Sequence, residues 1–220
     1  ASNYITIEYN YLHNIVTQTN DSGAIYGGRN LAGHGTVIRY NLISDIGDPE
    51  EGYSPFAIYL DDYMSGQEVY GNIIFSSAGG NSIFMHGGRE NKIHDNIFIT
   101  LKGSGWQSDV RLNSEDHEIT ADRTEDFTKP IGDHEHLMIL ELVPFRSEIW
   151  AQHFPTLAKC KYDKQEPMAS IKDDSDFIIN SSYNKADLVG VGIEKNVCVT
   201  LSDSPDQISQ TVGFNLHIVI

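Results

Sequence analysis

Along about the first hundred residues, apolar positions come in short runs with a recurring punctuation: an apolar residue, two variable residues, Asn, then apolar residues again. The pattern reads Ile7-Glu8-Tyr9-Asn10-Tyr11-Leu12, Ile38-Arg39-Tyr40-Asn41-Leu42-Ile43, Val69-Tyr70-Gly71-Asn72-Ile73-Ile74 and Ile93-His94-Asp95-Asn96-Ile97-Phe98. Its Asn residues lie 31, 31 and 24 positions apart. Between the copies run Gly23-Ala24-Ile25-Tyr26-Gly27-Gly28, Phe56-Ala57-Ile58-Tyr59-Leu60-Asp61 and Asn81-Ser82-Ile83-Phe84-Met85-His86. Repetition at this period, with β-branched and aromatic runs broken by Gly and Asn, predicts an all-β parallel solenoid with at least two short strands per coil. Stacked Asn side chains would satisfy the backbone groups at the coil corners. A sandwich of hairpins would instead show two-residue turns at closer spacing.

After Lys102 the pattern stops, and the chain becomes charged, His-containing and non-repetitive. Two short helices are predicted there: one over residues 136–143, ended by Pro144, and one capped by Ser147 that runs through Trp150 to His153 and stops at Pro155. The pattern returns as Phe177-Ile178-Ile179-Asn180, residues 189–200 read as further strand, and residues 213–220 are expected to cover the end of the stack. The predicted division is therefore coils over residues 1–102, a partly helical insertion over 103–170, and final coils with a C-terminal cap over 171–220.

Composition narrows the partners. With 220 residues, 40% hydrophobic and 10% aromatic, the chain can build a sizeable core. A net charge of -16 argues against nucleic acid or an acidic membrane as partner, because like charges repel and binding would release no counterions. No apolar run reaches the roughly 18 residues of a membrane span. The start at Ala1, without Met and close to a strand-like run, reads as the C-terminal portion of a longer precursor, whose remaining coils would be a partner. Cys160 and Cys198 form no redox or zinc spacing and are expected to be partly buried thiols.

The run Asp21-Ser22-Gly23-Ala24-Ile25-Tyr26-Gly27-Gly28-Arg29, then Ala57-Ile58-Tyr59-Leu60-Asp61-Asp62, then Ile83-Phe84-Met85-His86-Gly87-Gly88-Arg89, resembles the right-handed parallel β-helix repeat proteins of polysaccharide-degrading bacteria. Many of those are glycoside hydrolases. The segment Leu142-Val143-Pro144-Phe145, with Ser147, Trp150, Phe154, Pro155 and Leu157, is similar to a helical insertion in the same group. The resemblance implies a right-handed coil, an extracellular or periplasmic location, a polysaccharide or oligosaccharide ligand, and further coils upstream.

Alternation along the strands defines a candidate site. If Ile25, Ile58 and Ile83 point inward, then Tyr26, Tyr59 and Phe84 point outward as an exposed aromatic column, a platform for the apolar face of sugar rings. Two positions on, Gly28, Asp61 and His86 share a column, and Asp61 beside His86 would make an acid/base pair. Asp62 is expected at a turn, since a carboxylate facing the core is costly. Arg29 and Arg89 would hold an Asp or grip a substrate carboxylate. Asp21 and Glu90 are further carboxylates, each read as a solvated loop charge, and His34 reads as a loop histidine. Catalysis is thus assigned to Asp61, Asp62 and His86, and substrate binding to Tyr26, Arg29, Tyr59, Phe84 and Arg89. No metal or cofactor is called for, although the acidic loop of Asp45, Asp48, Glu50 and Glu51 could hold calcium.

The leading expectation is a glycoside hydrolase on a plant or algal polysaccharide, working by carboxylate acid/base catalysis. Second stands a lyase or epimerase on uronates, with Arg29, Arg89 and His86 as its machinery. Third stands a non-catalytic glycan-binding or structural solenoid.

Overall fold

A computed structural model describes residues 3–28, 30–48, 50–53, 55–61, 64–76, 81–85, 88–101, 107–112, 142–163, 192–201 and 214–219. The chain is mostly β. It runs through β1 (Thr6–Glu8), β2 (Tyr11–Ile15) and β3 (Gly23–Gly28), then β4 (Thr36–Arg39), β5 (Leu42–Ile46) and β6 (Phe56–Asp61). Next come β7 (Gln67–Tyr70), β8 (Ile73–Ser76) and β9 (Asn81–Met85), then β10 (Lys92–His94), β11 (Ile97–Leu101) and β12 (Gln107–Leu112). Two short helices follow, α1 (Glu148–His153) and α2 (Pro155–Ala158), and then β13 (Gly192–Glu194), β14 (Asn196–Leu201) and β15 (Phe214–Val219).

Three sheets share these strands in rotation. The first has the order β1-β4-β7-β10-β13, the second β15-β14-β11-β8-β5-β2, and the third β12-β9-β6-β3. Neighbours pair in parallel except β15, which runs antiparallel to β14 at the outer edge of the second sheet. Each of the first four repeats therefore carries three strands, where the apolar runs predict at least two. β12 pairs with β9 within the stretch read as insertion. Its sequence, Gln107-Ser108-Asp109-Val110-Arg111-Leu112, is too polar to register as strand by pattern alone.

The inward columns build one core: Ile38, Val69 and Ile93 from the first sheet, Ile43, Ile74 and Phe98 from the second, and Ile58, Leu60, Ile83 and Met85 from the third. These side chains are packed away from water, and large-to-small changes among them would cost about 2–5 kcal/mol each.

Among the described residues the Asn ladder has five rungs. Asn10, Asn41, Asn72 and Asn96 each donate from Nδ2 to the Oδ1 of the next rung, at 2.9–3.0 Å, and the ladder ends on Asn196. Each backbone N–H along the series donates to the same Oδ1. Spare amide protons bond carbonyls of the preceding strands, such as Ile7, Ile38, Val69 and Ile93. The residue before each rung turns the corner at positive φ: Tyr9, Tyr40, Gly71, Asp95 and Lys195. The fifth rung carries the same signature, Ile193-Glu194-Lys195-Asn196-Val197-Cys198. Asn180, read as the return of the pattern, lies outside the described residues.

The Ser147 side chain accepts from the Trp150 N–H and starts α1, which ends at His153 before Pro155 as its sequence predicts, and Pro155 opens the separate α2. Residues 136–141 lie outside the described residues. Leu157, Phe145, Cys160 and Tyr162 pack with Leu31 and Ala32 of the β3–β4 loop, which fastens the helical segment to the sheets. Cys160 is buried in that cluster.

Candidate functional site

The third sheet sets the geometry. Ile25 pairs with Ile58 and Ile58 with Ile83, so that Tyr26, Tyr59 and Phe84 follow one another in register on the opposite face. The column exists, but it is not an exposed stack. Tyr26 keeps 51% of its surface accessible, whereas Tyr59 keeps 2% and Phe84 6%. Phe56 is the reason: its ring lies 4.8 Å from that of Tyr59 and 4.5 Å from that of Phe84, and Tyr59 stacks on Phe84 at 4.9 Å. The aromatic cluster beneath Tyr26 is a floor, and Tyr26 is the part that meets solvent.

Gly28 pairs with Asp61, as alternation predicts. The Tyr26 hydroxyl donates to Asp61 Oδ2 at 2.6 Å. Tyr26 and Gly28 stand on one face two residues apart, and the phenol reaches Asp61 by passing over Gly28. A Cβ at Gly28 would sit 2.9 Å from the Tyr26 hydroxyl oxygen and 3.2 Å from the Asp61 Cβ. The missing side chain is what lets the pair form.

Tyr59 draws a second carboxylate into the cluster. Its hydroxyl donates to Asp21 Oδ1 at 3.1 Å and also shares a hydrogen bond with Asp61. Burial, then Asp61, then Asp21 push its pKa well above the usual phenol range, so Tyr59 stays protonated and serves as a donor. Since hydrogen bonds span about 3 Å, two carboxylates bonded to one phenol oxygen stand within about 6 Å of each other. Asp61 is buried at the end of β6 and Asp21 is exposed, so a shielded and an accessible carboxylate share one hydroxyl.

Arg89 is buried, its Nε lies 3.3 Å from Glu90 Oε2, and its backbone N–H donates to Ser65 Oγ. Glu90 also accepts from His34 Nε2 at 2.8 Å. Burial alone would raise the Glu90 pKa, but the His34 hydrogen bond, the Arg89 charge and a hydrogen bond from Thr156 hold it below its usual value. His34 is buried against Phe154 at 4.9 Å. Glu90 and His34, read as loop residues, thus form a buried polar seam where α2 meets the sheets. Arg29, Asp62 and His86 lie outside the described residues.

In the acidic loop, Asp48 Oδ1 accepts the N–H groups of Glu50 and Glu51, a turn-capping role. Among the described residues no group of three or more His, Cys, Asp or Glu is arranged to hold a metal ion. Also among them, no helix is long and apolar enough to cross a membrane.

A further cluster escaped the sequence reading. The two variable residues of the repeat (Glu8-Tyr9, Arg39-Tyr40, Tyr70-Gly71 and His94-Asp95) face outward on the first sheet and its corner. Glu8, Arg39, Tyr70 and His94 stand in register on successive strands. Arg39 Nε donates to Glu8 at 2.6 Å and its Nη1 to the Tyr70 hydroxyl at 2.7 Å. These bonds, Tyr70 first, raise the Arg39 pKa further. Tyr70 lies parallel to His94 at 5.1 Å, and His94 joins Asp95 at 2.7 Å and Glu68 at 3.1 Å. The signal lay in the variability itself: positions that the core leaves unconstrained are those that face out.

In comparisons with known proteins, no family model, no curated protein and no solved structure matches this chain.

Proposed function

We propose that the chain is a right-handed parallel β-helix that binds and hydrolyses a plant or algal polysaccharide outside the cell. The rotation of strands through three parallel sheets and the continuous Asn ladder support the β-helix reading. The carbohydrate reading is carried by one observation: an accessible Tyr26 hydrogen-bonded to Asp61, with Asp21 joined to Asp61 through Tyr59. Hydrolysis of a glycosidic bond needs two carboxyl groups about 5–9.5 Å apart, and the shared Tyr59 hydroxyl keeps the nearest oxygens of Asp21 and Asp61 within about 6 Å of each other. One carboxyl group protonates the leaving oxygen, and the other attacks the anomeric carbon or takes a proton from water. Tyr26 offers a ring face to the sugar and a hydroxyl to orient Asp61. Asp62 and His86 follow β6 and β9 directly in the sequence and belong to the same proposal.

Arg89, buried and held by Glu90, weighs against a lyase that must neutralise a uronate. The test is reducing-sugar release and ultraviolet absorbance from neutral and acidic plant and algal polysaccharides, for the wild type beside Asp61→Asn. Release abolished by the substitution, without new ultraviolet absorbance, supports the hydrolase. Release that survives Asp61→Asn, or an unsaturated product, overturns it.

A further inference from the structure

The exposed tyrosines lie mainly elsewhere than on the third sheet. Tyr9 keeps 73% of its surface accessible and Tyr40 44%, and their rings stack at 5.4 Å. Both occupy the corner column at positive φ, 57° and 55°. A bulky side chain is a poor choice there, because the left-handed region crowds Cβ against the backbone and costs about 1–2 kcal/mol that Gly, or a short polar residue such as Asp, avoids or reduces. The same column uses Gly71, Asp95 and Lys195 in the later repeats, none of them aromatic. The corner backbone therefore does not itself call for Tyr at positions 9 and 40. The space at Gly71 is taken by Tyr40, whose ring atoms would lie 2.6 Å from a Cβ at residue 71.

The surroundings are rigid and polar. Arg39 lies beside the rings of Tyr40 and Tyr70, which meet edge to face at 5.4 Å; its guanidinium carbon is 5.5 and 5.8 Å from their centroids, and it is anchored by Glu8. Glu68 and Asp95 hold His94 in turn. Rings already held in place lose little freedom when a ligand arrives, which favours binding. Exposed aromatic faces bordered by carboxylates match a pyranose, whose C–H face is apolar and whose hydroxyls donate hydrogen bonds. On this face and its corner Glu8, Glu68, Asp95 and Glu194 stand against Arg39, Lys92, Lys195 and His94, so no cationic excess offsets the chain's net charge of -16, and uronates and sulfated sugars are disfavoured.

We infer that the outward face of the first sheet, centred on Tyr9 and Tyr40, is a second, non-catalytic binding site for neutral sugar chains. Its ligand class rests on the carbohydrate reading above; its location does not depend on Asp61. The experiment is affinity electrophoresis through gels containing xyloglucan, galactomannan, laminarin or polygalacturonate. It compares the wild type, Tyr9→Gly, Tyr40→Gly and Asp61→Asn, with urea midpoints measured in parallel. Glycine suits the corner backbone, so each Tyr→Gly variant removes a ring while relieving strain. The expected result is retardation of the wild type and Asp61→Asn by at least one neutral polymer, a loss of about tenfold or more in affinity in each Tyr→Gly variant, and no retardation by polygalacturonate. Urea midpoints of the Tyr→Gly variants should not fall.

Three results overturn the inference: no retardation of the wild type by any neutral polymer, affinity within about twofold after both substitutions, or stronger binding to polygalacturonate. A midpoint that falls in the Tyr→Gly variants while retardation persists assigns the tyrosines to the fold and also overturns it. Retardation through Tyr9 and Tyr40 without sugar release would sink the hydrolase and leave this site standing, whereas Asp61-dependent release without retardation would do the reverse.

Discussion

Asn72 is the ladder rung whose loss the structure prices most clearly. Its Oδ1 accepts both the N–H and the Nδ2 of Asn41 at 3.0 Å, and its Nδ2 donates to Ile38 O, Tyr70 O and Asn96 Oδ1. Asn72 is fully buried. Substitution by Ala strands the Asn41 N–H and deprives two carbonyls of a donor, while the backbone N–H of residue 72 still reaches Asn96 Oδ1 at 3.0 Å. A buried polar group left without its partner costs about 1–3 kcal/mol, so one full orphan and two weakened acceptors total about 3–5 kcal/mol. Asn10 supplies the internal control. Its Nδ2 donates to Glu8 O and Asn41 Oδ1, but no rung donates to it among the described residues, and water can replace what Asn10→Ala removes. That variant should lose about 0.5–1 kcal/mol. Urea unfolding followed by far-ultraviolet circular dichroism separates them: at a slope near 2 kcal/mol per molar, Asn72→Ala should lower the midpoint by about 1.5–2.5 M with the slope unchanged. Equal midpoints for the two variants would refute the view that the ladder stabilises by satisfying buried backbone groups.

Gly28→Ala should cut sugar release about tenfold or more with less than about 1 kcal/mol lost in urea unfolding, because the new Cβ displaces the Tyr26 hydroxyl from Asp61 while Ala is otherwise a better strand residue than Gly. Leu157→Ala should cost about 2–5 kcal/mol by the same measurement, since Leu157 is fully buried against Leu31 and Ala32. Stability should also depend on pH. Burial would lower the His94 pKa, but Asp95 and Glu68 raise it above its usual value, so its contribution is complete below about 6.5 and is lost as pH rises through the raised value. Glu90, held low, contributes above about 4.5 and loses that contribution as pH falls through its lowered value. Both contributions are therefore present between about pH 4.5 and 6.5, and His94→Gln should flatten the alkaline side of the urea-midpoint profile and leave the acid side unchanged.

The repeat was legible because burial and backbone satisfaction act at every rung. Ile7, Ile38, Val69 and Ile93 must be apolar to line the core, and each Asn must be Asn to bond the rungs on either side, so both leave a period in the sequence. Asn196 carries that signature too, yet its Oδ1 accepts from Asn96 across 100 positions, a separation that no local period announces. The alternation in the third sheet was readable as well: Tyr26, Tyr59 and Phe84 do share a face, and Gly28 does pair with Asp61.

Exposure and partnership were not readable in the same way. Alternation says which face a ring occupies, but whether that face is wet depends on what else reaches it, and Phe56 covers Tyr59 and Phe84 while leaving Tyr26 open. Arg89 pairs with its neighbour Glu90, but Glu90 meets His34 only because the chain returns to the same corner 56 positions later. Local sequence therefore determined period, facing and register, which follow from constraints repeated along the chain. Only the tertiary structure decided which carboxylate, which ring and which cation came to share a site, because those pairings depend on side chains such as Phe56, Asp21 and His34, at strand ends and in loops, that the repeat does not specify.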